Sequence, residues 1–281
     1  QLQVGDGYLD NLDAELVFRT PGMHPGNPAL EALRAKGAKI TSEMEVFFEV
    51  CPCHTIAVTG SDGKTTTTTL ISEMLKAEGK NVFIGGNSSL NMMFDTIAQA
   101  MTHGMGGEPW CKQQGLKFLC PAPGYDRHFA ITEYGGFELI PVKLNADGPD
   151  MDEVEELVKD EKVKGIWCVP KYSNPQGITY SDQVVRRFAR LKPAAKDFRI
   201  YWDNAYCIHH LYDDKQDVIL NILTECEKAG NPDMVYMFAS TSKVTFPGSG
   251  VSAIATSKEN MDYILKQMTV QTIGHDKINQ L

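Results

Sequence analysis

The 281-residue sequence lacks an excess of basic residues, since 27 Lys and Arg stand against 36 Asp and Glu and give a formal net charge of -9. The basic residues are also spread along the chain, so no segment predicts the positive surface that nucleic acids or anionic membranes need. We therefore expect neither a nucleic-acid nor a membrane partner, and small molecules as ligands.

Paired cysteines and long apolar runs are missing as well. The seven cysteines are scattered, and Cys51 and Cys53 stand too close together, without a second ligand pair, to form a zinc site. This pattern favours reduced thiols in the cytoplasm. No apolar run reaches transmembrane length, and the polar start QLQVGDGYLD is unlike a secretory signal. Because that start has no Met, we expect it to lie inside a longer reading frame.

What the sequence does contain is the composition of a globular protein. Hydrophobic residues make up 42% of the chain and charged residues 22%, which is enough to build a sizeable core. The length suits one large domain or two ordinary ones.

The first part of the chain alternates between strand and helix patterns. AELVFRT predicts a strand, and NPALEALRAKG predicts a helix with Asn27 as its cap, Pro28 in the first turn and Gly37 as its terminator. TIAVTGSDGKTTTTTLISEMLKAEGKNVFI then predicts a strand, a glycine-containing turn, a helix and a second strand. This order defines a βαβ unit.

The turn TGSDGKTT carries the chemistry of that unit. Gly60 and Gly63 let backbone amides converge on a phosphate, Lys64 supplies a positive charge, and Thr65 can reach a magnesium ion. Val58 stands where the long Walker pattern has glycine, so this is a shorter glycine loop. The alternative is an ordinary tight turn before a helix; the strand, loop and helix order favours phosphate binding.

A family resemblance is visible in this region. The segments RTPGMHPGNPALEALRAKGAKITSEMEVFFE and AVTGSDGKTTTTTLISEML resemble the Mur ligases, most closely the UDP-N-acetylmuramoyl-alanine:D-glutamate ligases of peptidoglycan synthesis. The resemblance implies the tail of the ligase N-terminal domain at 1–53 and the start of its ATP-binding domain at 54–86. No counterpart of the later magnesium-binding carboxylate, modified lysine or C-terminal domain follows. The implied ligands of the ATP phosphates are Gly60, Ser61, Asp62, Gly63, Lys64, Thr65 and Thr66, with Thr65 also on magnesium.

From Asn87 onward a second α/β pattern begins. Asn-Ser-Ser before LNMMFDTIAQAM is typical of a helix start that can hold a phosphate. The segment LKFLCPAPGYDRHFAI predicts a strand, a Pro-Gly loop and a helix. Further strands are predicted at GFELIPV, GIWCVP, RIYWDNAY and MVYMFAS, and helices at MDEVEELVKDEKV and, capped by Ser181, at SDQVVRRFARL. Strands that alternate with helices over this length predict a mainly parallel sheet.

Four short motifs lie where these strands end. They are GGNSS, YSNPQG (172–177), YWDNAY (201–206) and the lysine of FASTSKVTFPG. Each alone is compatible with a turn, a cap or a solvated loop. In combination and in this order they resemble the fold-type I pyridoxal phosphate aminotransferases, in the aspartate aminotransferase-like branch. The implied fold is α/β: a truncated Mur-type βαβ segment followed by the large mixed or parallel-sheet domain of such an enzyme at 87–281.

The resemblance implies a role for each residue type. Lys243 would bind the cofactor aldehyde covalently and then move a proton at the substrate's α-carbon. Asp203 would keep the pyridine nitrogen protonated, and Tyr206 and Asn174 would hydrogen-bond the ring's phenolic oxygen. Tyr125 would stack on the ring, or else be a loop tyrosine that packs on its neighbours.

The cofactor phosphate is implied to lie at the start of the LNMMFDTIAQAM helix. Ser88 and Ser89 would hold it there, where free amides and the helix dipole favour an anion. Ser240 is a further implied ligand and Ser242 a weaker one. His209 and His210 match no role in the family, so we expect them to be structural or exposed. We expect Lys162 and Lys164 on solvated faces.

The sequence also departs from the aminotransferase pattern. Val251 stands where family members commonly carry a phosphate-binding arginine. The family's N-terminal segment and its small C-terminal domain, with the arginine that grips the substrate carboxylate, are expected to be absent. Members of the family are typically homodimers, and their substrates are amino acids and 2-oxo acids.

Gly-Gly-Asn fits both resemblances, as the end of NVFIGGN and as the start of GGNSSLN. We therefore interpret the chain as a chimera of two unrelated coding sequences, joined near Gly85 to Asn87 by assembly artefact, recombination or deliberate fusion. The larger part predicts an aminotransferase impaired by truncation. The alternatives are an ATP-dependent ligase that adds D-glutamate, and a non-catalytic protein that only binds phosphate ligands.

Overall fold

A computed structural model describes residues 14–19, 23–24, 26–50, 81–207, 209–240, 242–243 and 251–274. Contacts divide the chain into two compact units, Gln1–Val58 and Thr59–Leu281. The glycine loop at 60–66, with the predicted ATP and magnesium ligands, lies outside the described residues, as do Cys51 and Cys53.

The first unit contains two parallel strands, β1 (Leu16–Phe18) and β2 (Lys39–Thr41), and two helices, α1 (Pro28–Ala35) and α2 (Glu43–Val50). The predicted cap of α1 is confirmed, because Asn27 Oδ1 accepts a hydrogen bond of 2.9 Å from the Ala29 amide. Gly37 follows the helix with a φ of 96°, a conformation that favours glycine.

The second unit is built on an eight-stranded sheet in the described part of the chain, with the order β3-β10-β9-β8-β7-β4-β5-β6. Its strands are β3 (Asn81–Ile84), β4 (Lys117–Ala122), β5 (Glu138–Asn145), β6 (Gly148–Pro149), β7 (Val163–Cys168), β8 (Arg199–Asp203), β9 (Val235–Ser240) and β10 (Ser252–Thr256). The five strands from β9 to β5 are mutually parallel, whereas β10, β3 and β6 join in antiparallel pairs. The predicted mainly parallel sheet is confirmed.

Helices cover both faces of this sheet. They are α3 (Ser89–His103), α4 (Asp126–Tyr134), α5 (Met151–Leu157), α6 (Asp182–Ala189), α7 (Ile222–Ala229) and α8 (Lys258–Gln271). Successive residues of a strand point to opposite faces, so Trp202 joins the core under α6 while Tyr201 joins the core under α3. Ser181 caps α6 as predicted, since its Oγ accepts from the Val184 amide. Among the described residues no helix is both long and apolar enough to cross a membrane.

This arrangement brings the predicted motifs together at one edge of the sheet. The carboxyl ends of parallel strands all lie on the same side of a sheet, and ligands of open α/β sheets bind at that side. The loops after β4, β7, β8 and β9 all leave from this edge.

Candidate functional site

Asp203, the last residue of β8, is the most deeply buried acid of the site. Its side chain is 7% exposed, and its Oδ2 lies 3.0 Å from His128 Nε2. Oδ1 is buried and has no hydrogen-bond partner among the described residues. An unpaired buried carboxylate oxygen costs free energy. Asp203 therefore offers an acceptor to a ligand that brings a protonated nitrogen.

His128, in the first turn of α4, was not predicted as part of the site. Its side chain is 1% exposed, and its ring stacks on that of Trp167 with a centroid distance of 4.7 Å and an interplanar angle of 16°. The His128 ring is thus held between the Trp167 ring and the Asp203 carboxylate. No local sequence pattern predicts the contact between His128 and Asp203, because the two residues are 75 positions apart in sequence.

Lys243 lies among aromatic rings that come from neighbouring loops. Its Nζ is 3.8 Å from the centroid of the Tyr206 ring and 5.8 Å from that of Tyr125, within the distance at which an ammonium group is attracted to a ring face. Tyr125 in turn contacts His128 edge-on, with ring centroids 5.0 Å apart. The lysine and the buried acid are therefore joined by a continuous set of contacts.

Asn174 completes this group from the loop after β7. Its Nδ2 lies 3.5 Å from the Tyr206 hydroxyl, at the outer limit of hydrogen bonding. Beside it, a narrow cleft is lined by Tyr125, His128 and Trp167 as well as Asn174. The structure thus brings the predicted Lys243, Tyr125, Asn174 and Tyr206 together.

The predicted serines surround the start of α3. Ser88 caps the helix, since its Oγ accepts a hydrogen bond of 3.2 Å from the Leu90 amide, and Ser89 is the first helical residue. Ser242 donates from its Oγ to the Asn87 carbonyl, which ties the loop of Lys243 to this helix start. Ser240 lies at the end of β9, paired in register with Ser252. The start of α3 also leaves backbone amides without helical partners.

One expectation about other residues is wrong. Lys164 is buried rather than solvated, and its Nζ is 2.9 Å from Asp197 Oδ1, because β7 is a central strand whose six residues are all buried. His209, expected to be structural or exposed, makes a contact with the backbone: its Nε2 lies 3.5 Å from the Lys243 carbonyl oxygen. Lys162 is exposed, as expected.

Comparison with known proteins identifies the family. Residues 50–281 match the family model described as aspartate aminotransferase. The chain belongs to the aspartate aminotransferase family. The aspartate aminotransferase of Corynebacterium glutamicum is 46% identical over 224 residues, which are 79% of this chain and 52% of that enzyme. A crystal structure of an aspartate transaminase from C. glutamicum superposes with a TM-score of 0.69 and 48% identity, covering 71% of this chain and 47% of the other.

The chain therefore spans about half the length of the aminotransferases that it matches. The expected mixed α/β fold of the aspartate aminotransferase family is confirmed by this likeness.

The second resemblance is also found. The UDP-N-acetylmuramoylalanine--D-glutamate ligase of Acetivibrio thermocellus is 54% identical over 91 residues, which are 32% of this chain and 20% of the ligase. The N-terminal segment is thus similar to D-glutamate ligases, which supports the interpretation as a chimera. The aminotransferase family model begins at residue 50, before the predicted junction, and the boundary near Gly85 to Asn87 stays a prediction.

Proposed function

We propose that this chain binds pyridoxal phosphate at Lys243 and transfers amino groups between amino acids and 2-oxo acids. The observation that carries this proposal is the Asp203 carboxylate, which is buried, held by His128 through one oxygen and unpaired at the other. A protonated pyridine nitrogen is the kind of partner that such an oxygen lacks.

The remaining residues fit the other parts of the same cofactor. Tyr206 and Asn174 carry donors for a phenolic oxygen. The start of α3, with Ser88, Ser89, Ser240 and Ser242 around it, suits a phosphate group. These hydroxyl and amide groups would hold the phosphate by hydrogen bonds, without the positive charge that an arginine would supply where this chain has Val251. Tyr125 offers a ring face.

The chemistry divides between cofactor and protein. Pyridoxal phosphate, when bound, supplies an aldehyde that reacts with amines and a ring that accepts electrons. Lys243 would supply the amine that holds the cofactor, and its free amino group could move a proton at the substrate's α-carbon. Asp203 would hold a proton at the ring nitrogen, and His128 would orient Asp203. Tyr125 and Tyr206 flank the Lys243 ammonium group with their ring faces.

Covalent labelling tests the proposal. The full chain is incubated with pyridoxal phosphate, its visible spectrum is recorded, and the adduct is reduced with borohydride and mapped by peptide mass spectrometry. We expect the label on Lys243, its loss in Lys243→Ala, and its retention in the control Lys162→Ala, an exposed lysine. A label on another lysine of the wild-type chain would contradict the site.

The location and assembly of the chain are also proposals. We infer a cytoplasmic location from the free cysteines at 111, 120, 168, 207 and 226. Burial raises the pKa of Cys120 to about 12 and that of Cys226 to about 12, which is typical of inert structural thiols.

We further propose a homodimer, as in the family generally.

The glycine loop carries a second candidate activity, favoured by the similarity to D-glutamate ligases. The matched stretch covers 20% of the ligase, and a phosphate loop binds tightly only when neighbouring strands hold its curvature. We expect weak binding of ATP and magnesium at 60–66 and no ligation of D-glutamate. Calorimetric titration with magnesium ATP tests this, with Lys64→Ala as the comparison. Affinity typical of an ATP enzyme that is abolished in Lys64→Ala would contradict it.

A further inference from the structure

His209 occupies a position between two residues of the proposed site. Its ring contacts that of Tyr206 edge-on, with centroids 5.6 Å apart and an interplanar angle of 81°. Its Nε2 lies 3.5 Å from the backbone carbonyl oxygen of Lys243. His209 lies in the loop after β8, which also carries Tyr206, and its imidazole contacts the loop after β9, which carries the lysine.

The Lys243 carbonyl oxygen determines which ring nitrogen of His209 is the donor in this contact. A carbonyl oxygen only accepts hydrogen bonds, so the proton must be on Nε2. Nδ1 is buried and has no hydrogen-bond partner in the described part of the chain. His209 is therefore a donor directed at the Lys243 carbonyl oxygen.

We propose that His209 is a positioning residue that holds the backbone of Lys243 so that its side chain lies over the Tyr206 ring. This inference rests on the proposed function, since it concerns the lysine that would bind pyridoxal phosphate. The 3.5 Å contact is at the long end of the hydrogen-bond range, and contacts of this kind tighten when a ligand is bound.

The neighbouring His210 provides a matched control. Its Nδ1 lies 2.9 Å from the Tyr172 hydroxyl, which also accepts a hydrogen bond of 3.0 Å from the Asp217 amide. His210 is thus an imidazole of similar burial, one residue away, that is bonded to a different loop.

The experiment compares His209→Leu, His209→Gln and His210→Leu in the full chain. Leucine fills the space without a donor, whereas the glutamine amide can still donate to the Lys243 carbonyl. The dissociation constant for pyridoxal phosphate is measured from the visible spectrum, and the share of Lys243 labelled after borohydride reduction is measured by mass spectrometry. Thermal unfolding without cofactor shows whether each variant is folded.

We expect His209→Leu to raise the dissociation constant about two- to tenfold, the range that one neutral hydrogen bond contributes, and to lower the labelling of Lys243. His209→Gln and His210→Leu should stay close to the wild-type values. Equal weakening in His209→Leu and His210→Leu, or no rescue by glutamine at an unchanged unfolding temperature, would overturn the positioning role. Absence of any Lys243 label in the wild-type chain would instead overturn the proposed function itself.

Discussion

At the scale of single residues, the site depends on one buried acid and the group that holds it. Asp203 ends a strand whose residues are all buried, so its carboxylate is far from bulk water. His128 offsets part of the free-energy cost of burying the Asp203 carboxylate, since its Nε2 lies 3.0 Å from one carboxylate oxygen. The other oxygen is then free for a ligand.

Replacing His128 should therefore destabilise the fold. In His128→Leu the Asp203 carboxylate is left buried without its partner, and we expect a loss of about 1–3 kcal/mol in the free energy of unfolding. Urea unfolding, followed by circular dichroism, measures the loss. In the Asp203→Asn background the same change should cost less, because the two residues are in direct contact. Additive effects of the two substitutions would contradict the pairing.

Asp203 and His128 differ in whether their place in the site could be predicted from the sequence. Asp203, Asn174 and Tyr206 sit in short motifs after predicted strands, so their convergence could be predicted. His128 lies in a helix turn without a motif, and His209 acts through a backbone contact across 34 residues. Contacts between distant segments depend on packing, which no local pattern records.

At the scale of secondary-structure elements, capped helices and apolar strands were predictable. Asn27 and Ser181 mark the starts of α1 and α6, and the strands predicted at GIWCVP, RIYWDNAY and MVYMFAS appear as β7, β8 and β9. The strand β8 ends at Asp203, before the predicted end at Tyr206. The helices α2, α7 and α8 and the strands β2, β6 and β10 were not predicted. β10 is an antiparallel neighbour of both β9 and β3, and its short run SAIAT could belong to a strand or a helix on its pattern alone.

The edge strand β3 links the two resemblances. It lies in the segment predicted to be Mur-like, yet it pairs with β10, with Phe83 opposite Ile254. An edge strand needs main-chain pairing and one apolar face, which many sequences supply. A Cβ at position 85 would lie 2.6 Å from the Sδ of the buried Met92. A larger residue than glycine at this position would therefore require the flexible Met92 side chain to shift.

The centre of the sheet gives a sharper test of packing. A Cβ on Gly165 of β7 would lie 2.7 Å from the Arg199 carbonyl oxygen and 2.5 Å from Phe118 Cζ. Because a backbone atom of the adjacent strand cannot move aside cheaply, we expect Gly165→Ala to lower the free energy of unfolding by about 1–3 kcal/mol. Gly107→Ala is the control, since a Cβ there meets nothing within 4 Å. Equal stability of both variants in urea would contradict the packing.

At the scale of the whole molecule, the proposed site belongs to one compact unit. Every candidate residue from Ser88 to Lys243 lies in Thr59–Leu281, whereas β1, α1, β2 and α2 lie in Gln1–Val58. A ligand that binds only the folded form stabilises the part of the chain that forms its site. The effect of pyridoxal phosphate should therefore be local to the second unit.

Pyridoxal phosphate at 100 times its dissociation constant contributes about 2.7 kcal/mol, which corresponds to a rise of about 5–10 °C in the unfolding temperature of a unit of this size. Scanning calorimetry should show this rise in the wild-type chain and a much smaller one in Lys243→Ala, which lacks the covalent link. Hydrogen exchange gives the location: peptides from β8 and β9 should exchange more slowly with the cofactor, and those from α1 at an unchanged rate. An equal rise in Lys243→Ala would show that the stabilisation does not depend on this lysine. Equal protection of α1 would show that the ligand acts beyond the unit that contains the proposed site.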